Sequence, residues 1–128
     1  MAHRAYERFA AGDVEGVSEI FAPDAEMADA GGLGIERGVG TVRGPEGFIR
    51  ATEETVEAFE DYTVEAEKFI DAADAVIVAV RISGRGRASG APLDVRLAHL
   101  WEFRDGRVIR GEVYRTTEEA VAAASGRG

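Results

Sequence analysis

Four side chains stand where their types and neighbours could do chemistry: Tyr6, Asp29, His99 and Trp101. Asp29 closes the short alternating run from Glu26 just before a glycine-rich stretch. A carboxylate partly withdrawn from water there can act as a general base once another group holds the oxyanion it creates. The same position also suits an ordinary turn aspartate. His99 sits between Leu97 and Trp101 in a run of period two, so the three share one face of a strand. An imidazole on an inward face can donate a hydrogen bond or shuttle a proton, or it can be a core histidine satisfied by a carbonyl. Trp101 would wall a pocket beside it or simply pack in the core, and Tyr6 lies on the apolar face of a helix near the N-terminus.

Other chemistries are excluded more easily. The 128 residues contain no cysteine, which removes disulfides, thiolate metal sites and cysteine nucleophiles, and two histidines make a dedicated zinc site a poor expectation. Gly38-Val39-Gly40 and Gly84-Arg85-Gly86 lack the strand, helix and later glycine that a phosphate-binding loop requires, and no serine stands in a G-x-S-x-G context. Net charge is −9 at a pI near 4.7, with 17 acids against 6 Lys/Arg in residues 1–73, so the first half repels nucleic acid. Arginines 81, 85, 87, 96, 104, 107, 110 and 115 are expected on the exposed rows of strands. No apolar run is long enough to cross a membrane and the N-terminus lacks a signal-peptide core, so a cytoplasmic location is expected.

The elements that must position these side chains follow from periodicity. At this length, with 45% hydrophobic and 30% charged residues, one domain over 1–128 is expected. Residues 4–11 form a first helix ended by Gly12, and Asp13 caps a second whose face is Val14, Val17, Ile20 and Phe21, stopped by Pro23. The glycines from 31 to 44 mark a long connection, expected to act as a rim or lid. A third helix opens at Gly44-Pro45-Glu46 and buries Phe48, Ile49, Thr52, Val56 and Phe59. The period then shortens to two: 63–70, 75–84, 93–103 and 107–115 read as strands, with Asp105-Gly106 as a hairpin turn. On the last strand Ile109, Gly111 and Val113 share a face unless a bulge exchanges them. Residues 75–80 are apolar on both faces, so something must cover the outer side, a second subunit being the simplest candidate. Thr116 and Glu119 have capping-box spacing before a short alanine-rich helix. Helices first and strands later make the class α+β.

Several strings carry a resemblance: Ala11-Gly12-Asp13, Ile20-Phe21-Ala22-Pro23-Asp24-Ala25, Arg43-Gly44-Pro45-Glu46, Trp101-Glu102-Phe103-Arg104-Asp105-Gly106-Arg107-Val108 and Glu118-Glu119-Ala120. In this order they resemble the nuclear transport factor 2-like superfamily, in its SnoaL-like and ketosteroid-isomerase-like branch, over residues 4–124. The resemblance implies a cone-shaped, strongly curved and mostly antiparallel sheet wrapped around three helices, with a short C-terminal helix. It also implies an apolar pocket and dimerisation through the outer sheet face. In ketosteroid isomerases the general base falls, by its count from the first Gly-Asp pair, at Asp29. The oxyanion-holding tyrosine would align with Ala5, one residue before Tyr6, and the oxyanion-holding acid with His99. The last-strand acid of SnoaL-like cyclases would align with Val113.

The leading expectation is thus a cofactor-independent enzyme that transfers a proton or closes a ring on a small apolar carbonyl-bearing molecule, with Asp29 and His99 as catalytic residues and no metal. Its substrate-binding wall is expected from Tyr6, Phe9, Phe48, Ile77, Leu97, Trp101 and Val113. Two alternatives stand beside it: a noncatalytic module binding an apolar ligand, and a structural dimer with a filled core.

Overall fold

The computed structural model describes residues 2–28, 41–72 and 75–127. Asp29 and the glycine-rich segment through Gly40 lie outside the described residues. The elements run α1 (Ala2–Ala10), α2 (Val14–Ser18), β1 (Phe21–Ala28), β2 (Thr41–Arg43), α3 (Gly44–Ala58), β3 (Phe59–Ala72), β4 (Ala75–Gly86), β5 (Pro92–Arg104), β6 (Arg107–Tyr114) and α4 (Thr117–Arg127). Six strands form one sheet in the order β2-β1-β6-β5-β4-β3, antiparallel throughout except for the parallel β1–β6 pair. The class is α+β. Among the described residues no helix is long and apolar enough to cross a membrane.

Local chemistry explains most boundaries. Gly12 takes φ +83° after α1, and the Asp13 carboxylate accepts the Gly16 amide at 3.0 Å to cap α2. Asp105 (φ 53°) and Gly106 (φ 76°) form the tight left-handed turn that joins β5 to β6. Thr116 Oγ1 accepts the Glu119 amide at 3.1 Å and starts α4. Gly44 takes φ +71°, and a Cβ there would lie 2.7 Å from the Pro23 carbonyl oxygen, so the turn into α3 needs glycine.

Three expectations are corrected. The second helix ends at Ser18, and Phe21 begins a strand instead of extending the helix face, because β6 offers a hydrogen-bonding edge to which the residues up to Ala28 pair. Thr41–Arg43, read as part of the loop, pairs with β1 as a sixth strand. The buried stripe of α3 is Ala51, Thr52 and Thr55, with Val56 44% exposed, since α3 leans on β1 and presents the adjacent row. The outer side of residues 75–80 is covered in part by the chain itself: Ala120 of α4, with Ala123 and Ala124, packs on Ala75, Ile77, Ala98 and Leu100.

The sheet therefore has two packed faces. Val78, Val80, Ile82, Leu97 and Val113 build the inner one with Tyr6. Where α4 does not reach, the outer face is ionic: Arg81 pairs with Asp94 at 2.8 Å and Arg96 with Glu67 at 3.0 Å, both exposed and of small energetic weight.

A bulge at Ile109 decides what β6 shows inward. Glu102 pairs with Arg110 but Phe103 pairs with Val108, so Val108 joins Gly111 and Val113 on the inner face. This is the exchange of faces that a bulge brings. Gly111 lies opposite Trp101, and a Cβ on it would collide with the indole, 2.7 Å from Cε3. Gly111→Ala is expected to destabilise the fold by about 1–3 kcal/mol, as overpacking does, measured by urea unfolding. An unchanged midpoint would show that the indole moves aside freely.

Candidate active site

A cavity of about 110 Å³ lies between the helices and the inner sheet face. Helix α1 contributes Ala5, Tyr6 and Phe9, α3 contributes Phe48, Ala51, Thr52 and Thr55, and the strands close it with Phe21, Met27, Tyr62, Val64, His99, Trp101, Phe103, Val108 and Val113. Aromatic rings meet around it: Phe21 and Phe48 have centroids 4.6 Å apart, and Phe21 and Trp101 5.9 Å. A cavity of about 150 Å³ with such a lining is known to hold benzene, so this one suits a single small ring.

Its polar end is a chain of three side chains. Trp101 Nε1 donates to Tyr6 Oη at 2.7 Å, and Tyr6 Oη is 2.8 Å from His99 Nδ1. The indole N–H can only donate, so the Tyr6 oxygen accepts there. Tyr6 then gives its own proton to His99 when Nδ1 is bare, and accepts from His99 when Nδ1 carries a proton. The tyrosine and histidine rings lie near-parallel with centroids 6.1 Å apart, and His99 and Trp101 meet edge to face at 5.8 Å. His99 is 7% exposed, so proton transfer there would occur away from bulk water.

The structure brings together Tyr6, Phe9, Phe48, His99, Trp101 and Val113 of the residues singled out in the sequence. It places Ile77 on the opposite side of the sheet under α4, in register with Leu100, because its strand alternates from Val78, which faces in. Leu97 faces inward but is absorbed in the core beside Val80 and lies off the cavity. Asp29, the expected base, falls outside the described residues. Sequence reasoning missed Phe21, Met27, Tyr62 and Val108 as lining residues. The alternation of β1 would have flagged Met27 had that strand been recognised from its start.

Glu112 borders the cavity between Gly111 and Val113, yet its side chain belongs to the outer face. It pairs with Leu100, and its carboxylate accepts from Tyr114 Oη at 3.1 Å and from Arg110 Nη2 at 3.1 Å. Burial lifts the Tyr114 phenol above its ordinary 10.0, against the pull of Arg110. Among the described residues no carboxylate side chain is thus aimed into the cavity, and no three His, Cys, Asp or Glu side chains converge as a metal site needs.

The sequence profile of the SnoaL-like domain matches residues 2–111. A nuclear transport factor 2-like protein from Burkholderia thailandensis is 26% identical with a TM-score of 0.79, covering 94% of this chain and 91% of its own. A protein from Sinorhizobium meliloti, provisionally described as a polyketide cyclase, is 26% identical with a TM-score of 0.67 over 84% of this chain and 87% of its own. A protein of ketosteroid isomerase-like fold from Catenulispora acidiphila, solved with trimethylamine, is 21% identical with a TM-score of 0.70 over 93% and 86%. No curated protein matches the sequence.

Two outcomes follow. Tyr6→Phe removes both bonds of the chain and is expected to cost about 1–3 kcal/mol of stability, read by urea unfolding, with the indole emission shifted; unchanged emission and midpoint would show the chain to be unimportant. For Tyr114, a folded pKa above the unfolded one means the fold favours the neutral phenol. That stabilisation is whole below the unfolded value of 10.0 and is lost as pH rises through the raised one. An absorbance titration should show a tyrosine step above pH 10 that is missing from Tyr114→Phe; identical curves would contradict the assignment.

Proposed function

The chain belongs to the SnoaL-like domain family, and we propose that within it this protein is a small-molecule enzyme transferring a proton on an apolar, carbonyl-bearing substrate, of the isomerase or polyketide-cyclase kind. The observation that carries the reading is the hydrogen-bonded chain of Trp101, Tyr6 and His99 at the polar end of an apolar cavity. In such a cavity a carbonyl oxygen finds hydrogen-bond donors only at defined places, and the low dielectric strengthens the bond as charge develops on it.

In this reading Asp29 takes the proton from the carbon beside the carbonyl, and the substrate oxygen acquires the negative charge. The Tyr6–His99 pair holds that oxyanion: a proton on Nδ1 turns the tyrosine hydroxyl toward the substrate, and the indole N–H keeps the phenolic oxygen in place. Return of the proton from Asp29 to a different carbon completes an isomerisation; alternatively the carbanion forms a bond to the carbon of a second carbonyl, whose C=O π bond opens to an alkoxide that takes the proton from Asp29, which completes a cyclisation. Phe9, Phe48, Trp101 and Val113 exclude water from the intermediate.

Solvent-deuterium incorporation into small cyclic ketones, followed by NMR, tests this. Wild type should accelerate exchange. Asp29→Asn should abolish the acceleration, and Tyr6→Phe should lower it about 10²–10³-fold, the range for losing an oxyanion donor. Exchange that is equal in wild type and Asp29→Asn would sink the proposal. A second reading, a noncatalytic binding module, is favoured by the outward-facing Glu112 carboxylate. It predicts ketones that raise the melting temperature, as ligands selective for the native state do, with no exchange.

A further inference from the structure

Two threonines of α3 border the cavity one turn apart, and they use their hydroxyls differently. Thr55 Oγ1 donates to the Ala51 carbonyl at 2.9 Å, the usual outlet for a threonine inside a helix. Thr52 is equally removed from outside water, at 9% exposure, but its hydroxyl makes no hydrogen bond among the described residues. Among those residues no fully enclosed polar side-chain atom lacks a partner, so an unbonded oxygen has to touch open space. The open space beside Thr52 is the cavity.

We infer that Thr52 is a specificity-determining residue that binds a second oxygen of the ligand, so that the substrate class is a single small ring carrying two oxygen functions. This rests on the proposed function in placing the first oxygen, a carbonyl, at Tyr6 and His99. The walls explain the selectivity. Phe48, Phe21 and Ala51, which border the same cavity, offer no polar side-chain atom, so a ring with one oxygen, held at Tyr6 and His99, leaves the Thr52 hydroxyl unbonded. A ring with a second carbonyl or hydroxyl bonds it, since a threonine hydroxyl both donates and accepts. The cavity of about 110 Å³ is of the size that takes one small ring within its walls.

The probes are cyclohexanone, cyclohexane-1,4-dione and 3-hydroxycyclohexanone, with dissociation constants from ligand-detected NMR on wild type, Thr52→Val and Thr52→Ser. Valine keeps the shape of threonine and removes the hydroxyl, while serine keeps the hydroxyl. In wild type at least one doubly oxygenated ring should bind about five- to tenfold more tightly than cyclohexanone, the weight of one hydrogen bond. That preference should vanish in Thr52→Val, where the doubly oxygenated rings bind no more tightly than cyclohexanone, and persist in Thr52→Ser. A preference that is absent in wild type, or that survives in Thr52→Val, overturns the inference while leaving the cavity as a ketone site. Failure of all three rings to bind wild type overturns the cavity reading and the inference with it. Because cyclohexanone is measured on each variant, damage to folding lowers all three affinities together and cannot imitate a loss of preference.

Discussion

The phenolic oxygen of Tyr6 ties the first helix to the middle of the sheet. It accepts from an indole 95 positions later and meets an imidazole 93 positions later, and both of those groups stand on β5. Helix α1 has nine residues, too few to be stable alone, so its place depends on what it packs against. The bond to Trp101 fixes its angle, and the ring of Tyr6 then meets Phe69 edge to face at 5.8 Å, which joins β3 to the same corner.

The indole can occupy its place only because residue 111 has no side chain. Glycine opposite tryptophan on neighbouring strands gives a large ring the volume that two ordinary residues would share. The bulge at Ile109 then brings Val108 inward beside it and leaves Arg110 and Glu112 facing out. A buried carboxylate on the outer face is tolerated because an arginine and a tyrosine bond it, as burial of charge requires. Among the described residues the cavity lining is mostly apolar, with polar side-chain atoms at Tyr6, Tyr62, His99, Trp101, Thr52 and Thr55, which is what gives each polar contact weight in binding.

The four long strands β3 to β6 could be read from the sequence by their period. The ends of β5 and β6, the Asp105-Gly106 turn and the caps at Asp13 and Thr116 depend on residues close in the chain, and each has a local physical cause. The same alternation grouped His99 with Trp101, and these two with Leu97, before any fold was known. It could not say which inward residues reach a cavity. Leu97 and Trp101 share a face, but one is absorbed between Val80 and Val113 and the other borders empty space.

From its sequence alone the chain determined its class, its family resemblance and the chemistry closed to it, because these follow from composition, period and short-range turn geometry. Tertiary structure decided three things. The C-terminal helix covers part of the sheet's outer side, since the alanines that fit it there are small and show no strong period. Ile77 went to that side, because residues 75–80 are apolar on both faces and periodicity cannot choose between them. And Tyr6, His99 and Trp101, three separate candidates along the chain, became one hydrogen-bonded group, because the distances that bond them are set by how α1 crosses β5 and not by any spacing in the sequence.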